Sequence, residues 1–172
     1  KGIEYLIEIS KELLKFDKNF RIFIYGDTLK DSENYLDYLK YIVYKNNLKK
    51  NIFFRGFKND IKSVILESDL ILQTPVKPDS LPTVIIDSLT LNSPVVSTDT
   101  GGCSEILNKG KNGILIPLND PKSSATLIYE YSKNLNLQKQ HFVNSKVFLN
   151  QNFNPLEFNK RILNEINRVY NG

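Results

Sequence analysis

Two carboxylates on either side of a predicted helix start are the residues of this sequence best suited to chemistry. Asp79 lies in a loop, and Asp87 follows eight residues later, one or two turns into a helix predicted over residues 82–91. The free N–H groups and the dipole at such a helix start suit an anion such as phosphate. Carboxylates are poor partners for phosphate but strong acceptors for hydroxyl groups. The combination indicates a nucleotide sugar, whose ribose and sugar ring both offer pairs of hydroxyls.

The residues at the start of this helix support the same interpretation. Leu81, Pro82 and Thr83 are its predicted opening residues, and proline is tolerated at the first helical position because its missing N–H has no helical partner there. Ser80 is predicted to cap the helix through its hydroxyl. The main-chain N–H groups of the first turn are therefore expected to face a ligand.

Strands alternate with helices over most of the chain. Strands are predicted over residues 21–25, 52–55, 70–73, 94–98 and 113–116, and helices over 3–16, 31–46, 59–67, 82–91, 121–134, 138–149 and 155–170. This order predicts an α/β fold, a Rossmann-like parallel sheet with helices on both faces, followed by a helical C-terminal tail. In such a sheet, ligands bind outside the carboxyl ends of the strands. Gly26, Arg55, Asp79 and the Gly101-Gly102 pair all lie at predicted carboxyl ends.

Composition excludes several classes of site. The 172 residues include 41% hydrophobic residues, which is typical of a globular protein. A single cysteine, Cys103, allows no internal disulfide, and a single histidine, His141, removes two-histidine metal motifs. The net charge of +4 is scattered over lysines without a stripe or patch, so no nucleic-acid partner is expected. A weak attraction to anionic lipid head groups or phosphorylated substrates stays open.

The motifs resemble the carboxyl-terminal, nucleotide-binding domain of the GT-B glycosyltransferases, specifically the retaining family-4 group. The matching residues are Asp79 and Asp87 with seven residues between them, Pro94–Val96, Thr98–Gly102, Glu105, Asn112-Gly113 before Pro117, Lys1-Gly2, Gly26 and Phe54–Phe57. The family carries Glu at both acidic positions and commonly Phe-Gly where this chain has Leu81-Pro82. Both acids of this chain are thus one methylene shorter.

The resemblance implies a role for each matching residue. As the catalytic pair, Asp79 would hold the sugar ring of the donor and Asp87 would bind the ribose hydroxyls. Main-chain groups around Thr83 and Val84 would hold the diphosphate. The implied donor-binding residues are Lys1, which would pair with the diphosphate, Gly26, Arg55, whose turn would border the base, Ser80, Leu81, Thr83, Val84 and Asp87. No metal or other cofactor is implied, because the nucleotide sugar is a substrate.

The activity implied by the resemblance is that of a retaining hexosyltransferase. It would transfer sugar from a UDP- or GDP-sugar to a hydroxyl of a glycan or lipid-linked acceptor, in the biosynthesis of cell-surface polysaccharide, lipopolysaccharide or glycolipid. Residues 1–172 are expected to form one domain of a two-domain protein whose acceptor-binding N-terminal domain and first strand are absent here. Such a fragment would bind the donor without turnover. The expected location is cytoplasmic, including the cytoplasmic face of a membrane.

Two further functions stay open at this point. Nucleotide-sugar epimerases share the GT-B plan, although their catalytic acids and histidines are not apparent in this sequence. A non-catalytic nucleotide-binding descendant is the second. A receiver-like or flavodoxin-like module is disfavoured by the Asp79–Asp87 spacing and by the multi-helix tail.

Overall fold

The computed structural model describes residues 2–27 and 33–171, and its elements follow the predicted alternation. In chain order they are α1 (Ile3–Leu13), β1 (Ile22–Tyr25), α2 (Glu33–Lys45), β2 (Ile52–Gly56), α3 (Ile61–Leu66), β3 (Ile71–Gln73), α4 (Thr83–Thr90), β4 (Val95–Thr98), α5 (Gly102–Ile106), a 3-10 turn (Asn108–Gly110), β5 (Ile114–Ile116), α6 (Pro121–Lys133), α7 (Leu135–Asn152) and α8 (Pro155–Asn171). Each predicted strand is present, within one or two residues of its expected ends.

All strand pairings in the described residues are parallel, as predicted, and they fall into two groups. β1 pairs with β2, and β4 lies between β3 and β5. Every residue of β4 is buried, whereas every residue of β3 is only half-buried. Full burial of β4 is typical of a parallel strand covered on both faces.

Helices cover both faces of the three-stranded sheet, which confirms the predicted architecture. On one face, α1 and α6 form a core whose buried members are Tyr5, Ile9, Leu13, Val96, Ile116, Ala125, Ile128 and Tyr131. On the other face, α4 and α5 contribute to a core made of Ile85, Leu89, Val95, Cys103, Ile106 and Leu107. A third core joins α1 and α2 to the β1–β2 pair and contains Ile7, Leu39, Val43, Leu48 and Ile52.

Helix α1 is the one of these helices that takes part in cores on both strand groups. Ile9 belongs to the core on the three-stranded sheet, and Ile7 belongs to the core on the β1–β2 pair. The hydroxyl of Tyr5 also donates to the carbonyl of Pro117 at 2.7 Å, just after β5. α1 thereby packs against both strand groups at once.

The helical tail is confirmed, and α7 starts earlier than predicted. Asn134 ends α6, and its side-chain oxygen accepts a hydrogen bond from the N–H of Leu137 at 3.0 Å. One residue thus separates the two helices, and α7 begins at Leu135, three residues before the predicted start. The last helix, α8, exposes apolar side chains along its length, namely Leu156, Phe158, Ile162, Leu163, Ile166 and Val169.

Helix α5 was not predicted. It spans five residues and begins at Gly102, the second glycine of the Gly101-Gly102 pair. Five residues are too few to show a helical period in the sequence. The position of α5 at the carboxyl end of β4 brings these glycines to the candidate site.

Candidate functional site

The loop between β3 and α4 is fastened to the end of β4 by two hydrogen bonds. The hydroxyl of Thr98 donates to the carbonyl of Pro75 at 2.7 Å, and the N–H of Gly102 donates to the carbonyl of Asp79 at 2.8 Å. β3 and β4 are parallel neighbours, so their carboxyl ends lie side by side. The loop that carries Asp79 is therefore held at the edge where ligands bind in sheets of this kind.

Two glycines allow this loop to approach the turn after β4. A Cβ atom at Gly102 would lie 2.3 Å from the carbonyl oxygen of Ser80, and one at Gly101 would lie 2.7 Å from that of Asp79. Both distances are shorter than real Cβ contacts. The turn after β4 thus has a packing role, because it holds the main chain of Asp79 and Ser80.

The Asp79 side chain is half-buried and turned toward the start of α4. Its Oδ1 accepts a hydrogen bond from the N–H of Leu81 at 3.2 Å. Ser80 and Leu81 are exposed beside it, with Leu81 54% exposed. A ligand at this edge would meet the carboxylate of Asp79 and the two side chains that follow it.

The predicted cap of α4 was wrong. Pro82 occupies the N-cap position with φ −70° and ψ 87°, and no side chain of the described residues caps this helix start. The non-helical ψ of Pro82 delays the helix to Thr83, which places Ser80 two residues before the position from which a hydroxyl caps. Pro82 is accordingly not the first helical residue. The N–H groups of Thr83 and Val84 lie in a first turn where α-helical geometry supplies no partner.

Asp87 lies on the exposed face of α4. The side chains of Ile85, Ser88 and Leu89 are buried, whereas Thr83 and Asp87 are exposed and four residues apart, which places them on one face of the helix. Asp79 precedes the helix start and Asp87 follows it by one turn. The structure thus places the two predicted carboxylates on either side of an uncapped helix N-terminus.

Gly26 and Arg55 lie in the other strand group. The N–H of Gly26 donates to the carbonyl of Gly56 at 2.9 Å, which joins the carboxyl ends of β1 and β2. The guanidinium of Arg55 lies over the rings of Phe23 and Phe53, 5.0 Å and 5.6 Å from their centroids. These contacts hold Arg55 against its own sheet. Lys1 lies outside the described residues.

Sequence reasoning missed the anchoring role of Thr98 and Gly102. Both belong to the Thr98–Gly102 motif that the sequence singled out, but their partners Pro75 and Asp79 lie 23 residues away along the chain. Such a contact carries no local periodicity, so only the packed strands reveal it.

The cysteine and the histidine of the chain are both buried. Burial raises the pKa of the Cys103 thiol, which stays protonated in the core. His141 is buried against the hydroxyl of Tyr131, which lies 3.0 Å from its Nδ1. Among residues 2–27 and 33–171, no group of three or more histidine, cysteine or acidic side chains could hold a metal ion. Across those same ranges no helix has the length and apolar character to cross a membrane.

Curated relatives and a family model match this chain. Residues 1–146 match the family model of glycosyl transferases group 1. The chain is 30% identical over 149 residues to an uncharacterized glycosyltransferase of Methanocaldococcus jannaschii, covering 86% of this chain and 39% of the relative. It is 26% identical over 140 residues to a putative colanic acid biosynthesis glycosyltransferase of Salmonella typhimurium, covering 77% and 33%. The chain thus spans less than half the length of these relatives.

Solved structures share the fold. The Anabaena protein HepE, crystallised in complex with UDP, superposes with a TM-score of 0.83 at 23% identity, covering 95% of this chain and 44% of the other. The C-terminal domain of a glycosyl transferase group 1 family protein from Francisella tularensis superposes with a TM-score of 0.75 at 20% identity, covering 89% and 80%. The fold is that of the GT-B C-terminal domain, and the chain belongs to the group 1 glycosyl transferases.

Proposed function

We propose that this chain is the donor-binding domain of a retaining glycosyltransferase. It binds a nucleoside-diphosphate sugar, with UDP or GDP as the nucleotide, at the carboxyl edge of β3 and β4. A further domain of the same protein supplies the acceptor, a hydroxyl of a glycan or lipid-linked glycan. The Salmonella relative, named for colanic acid biosynthesis, supports a polysaccharide acceptor. The Anabaena complex supports UDP.

One observation carries the proposal: α4 begins without a side-chain cap, between Asp79 and Asp87. N–H groups at a helix start favour a diphosphate through direct hydrogen bonds and the helix dipole. Carboxylates on either side would repel a bare anion but accept hydrogen bonds from sugar hydroxyls. A ligand with a diphosphate between two hydroxyl-bearing rings matches this arrangement of charges.

The mechanism that follows is mainly electrostatic. Negative charge develops on the departing diphosphate, and the N–H groups of Thr83 and Val84 would stabilise it in the transition state. Asp87 would hold the ribose, and Asp79 the transferred sugar, so that the acceptor hydroxyl meets the anomeric carbon in a fixed geometry. No metal is required for these roles.

The direct test is titration of the chain with UDP and GDP by calorimetry. Asp87→Ala is expected to weaken nucleotide binding by about 1–3 kcal/mol, the cost of removing a charged hydrogen-bond acceptor. Asp69→Ala is a matched control, since Asp69 is exposed and lies two residues before the amino end of β3, at the opposite edge of the sheet. Equal effects of the two substitutions, or no binding of either nucleotide, would contradict the assigned donor site.

Turnover requires the whole protein. In the full-length enzyme, Asp79→Ala is expected to reduce sugar transfer or donor hydrolysis more than it reduces nucleotide binding, because its partner is the sugar ring. Nucleotide binding that persists without transfer or hydrolysis, over several UDP- and GDP-sugars, would instead favour a non-catalytic nucleotide-binding protein.

A further inference from the structure

Helix α5 is fastened at both of its ends. At its start, the N–H of Gly102 donates to the carbonyl of Asp79 at 2.8 Å. After its end, the Nδ2 group of Asn112 donates to the carbonyl of Ile106 at 3.1 Å, and the N–H of Asn112 donates to the carbonyl of Leu107 at 3.1 Å. A helix of five residues has little stability of its own, so its position depends on these end contacts.

The segment that carries Asn112 is packed tightly against the sheet. Asn112 is buried, with 1% of its surface exposed. A Cβ atom at the next residue, Gly113, would lie 2.7 Å from the carbonyl oxygen of Val95, the first residue of β4. Real Cβ contacts are not this short, so the segment can lie here because Gly113 has no side chain. Helix α5 thus connects a fixed point at the amino end of β4 with the Asp79 loop at the carboxyl end.

The side-chain amide of Asn112 acts through its donor group. Across residues 2–27 and 33–171, its Oδ1 is the buried side-chain atom for which no hydrogen-bond partner is found. A buried oxygen without a partner lowers stability, and an apolar side chain at this position would avoid that cost. What the asparagine contributes is therefore the bond from Nδ2 to Ile106, which fixes the end of α5.

From these contacts we infer that Asn112 is a positioning residue of the donor site and acts through α5. Its bond to Ile106 fixes the end of the helix, and the start of the helix, at Gly102, holds the main chain of Asp79. Asn112 itself lies at the amino end of β4 and does not touch the donor. The inference rests on the proposed function, because the site that Asn112 positions is the nucleotide-sugar site.

Asn112→Leu tests this role. Leucine has the same number and branching of side-chain heavy atoms, and it removes the Nδ2 donor together with the unpartnered Oδ1. UDP and GDP are titrated into the chain by calorimetry, at a temperature where urea denaturation shows every variant to be folded. The dissociation constant of the nucleotide should rise about tenfold, because the displaced Asp79 loop leads directly into the start of α4.

Asn51→Leu is the matched control. Asn51 is also buried, with 4% of its surface exposed, and its Nδ2 group donates to the carbonyls of Lys18 and Phe20 at 3.1 Å and 2.9 Å. These bonds hold the segment before β1 and do not involve α5. Asn51→Leu should lower the free energy of unfolding, because it removes buried hydrogen bonds. It should change the nucleotide dissociation constant by less than about twofold.

A double substitution separates positioning from a general loss of stability. Gly102→Ala displaces the Asp79 loop directly, so Asn112→Leu should have little left to displace in the same chain. The double variant should bind the nucleotide no more than about twofold more weakly than the weaker-binding single variant. Independent effects of the two substitutions would instead multiply.

The outcomes distinguish this inference from the proposed function. Unsubstituted affinity in folded Asn112→Leu, or effects that multiply in the double variant, would overturn the positioning role and leave the donor site standing. Binding of neither nucleotide by the unsubstituted chain would overturn both.

A measurement without substitution decides the question if Asn112→Leu does not fold. The side-chain amide resonances of Asn112 and Asn51 are followed by NMR while UDP or GDP is added to the unsubstituted chain. Those of Asn112 should shift, because α5 connects it to the loop, whereas those of Asn51 should stay in place. Unshifted Asn112 resonances in a chain that binds the nucleotide would overturn the inference.

Discussion

At the scale of single residues, the candidate site depends on the absence of side chains at Gly101 and Gly102. These glycines permit the main chain of Asp79 and Ser80 to lie against the turn after β4. The carboxylate of Asp79 is positioned through this contact. The residues that hold the loop are therefore distinct from those expected to touch the donor.

Gly102→Ala tests this contact. The added Cβ would lie 2.3 Å from the Ser80 carbonyl oxygen, so the loop must move. Overpacking of this kind costs about 1–3 kcal/mol of stability. UDP or GDP affinity should fall about tenfold as the loop shifts, a change of roughly 1.4 kcal/mol. Both quantities are measured by urea denaturation and calorimetry.

Gly110→Ala is the control for this substitution. Gly110 has φ +89°, which strains alanine, but nothing lies within 4 Å of its added Cβ. It should lower the free energy of unfolding while leaving nucleotide affinity unchanged. A Gly102→Ala variant with wild-type affinity would show that loop packing does not position the site.

Buried His141 gives the chain a pH-dependent stability. Burial lowers the pKa of its imidazole below the ordinary value of 6.5. The unfolded chain therefore takes up a proton at this residue before the native state does. The contribution of neutral His141 to the free energy of unfolding is fully present above about pH 6.5. It is lost as the pH falls from there toward the lowered native pKa.

His141→Gln should remove this contribution, so that its free energy of unfolding changes less between pH 7.5 and pH 5.5 than that of the unsubstituted chain. At pH 7.5 the variant should lose about 1 kcal/mol from the altered hydrogen bond with Tyr131. Urea denaturation at both pH values measures the difference. An unchanged pH dependence would assign the acid sensitivity to other groups.

At the scale of elements, the start of α4 is the feature on which donor binding would rest. Its first residue, Thr83, contributes a main-chain N–H and an exposed side chain. The two contributions can be measured separately. Proline is tolerated in the first helical turn but lacks the N–H, whereas alanine keeps the N–H and removes the side chain beyond Cβ.

Thr83→Pro is therefore expected to weaken UDP or GDP binding by about 1.5–3 kcal/mol, the range for a hydrogen bond to a charged group, with little change in stability. Thr83→Ala keeps the N–H and should bind more tightly than Thr83→Pro. Calorimetric titration of both variants makes the comparison. Equal losses would show that the side chain, and not the main chain, contacts the nucleotide.

The sequence predicted the order of strands and helices well, but it predicted the contacts between them poorly. Strand positions followed from short β-rich runs ended by Gly26, Gly56 or Pro75, which are local signals. The start of α4 was displaced because a single dihedral angle at Pro82 decides it. α5 was missed because five residues show no period. The anchoring of the Asp79 loop depends on β3 lying beside β4, which no local pattern encodes.

At the scale of the whole molecule, α8 presents an exposed apolar side. Leu163 is 59% exposed and Ile166 is 47% exposed. Exposed apolar stripes favour association. Residues 1–172 should therefore show concentration-dependent self-association in sedimentation velocity.

The double substitution Leu163→Lys with Ile166→Lys should reduce this association and change stability by less than about 0.5 kcal/mol. Asn164→Lys adds charge to the same exposed helix without removing an apolar side chain, and it should associate more than the double variant. Identical sedimentation of the unsubstituted chain, the double variant and Asn164→Lys would show that the association does not use the apolar side of α8.

Helix α1 has a consequence for how the molecule melts. Ile9 and Ile7 belong to cores on different strand groups, and Tyr5 also bonds to the segment after β5. Loss of α1 would uncover apolar surface on both groups at the same moment. Neither strand group can then stay folded while the other unfolds, so we expect both to unfold in one cooperative transition.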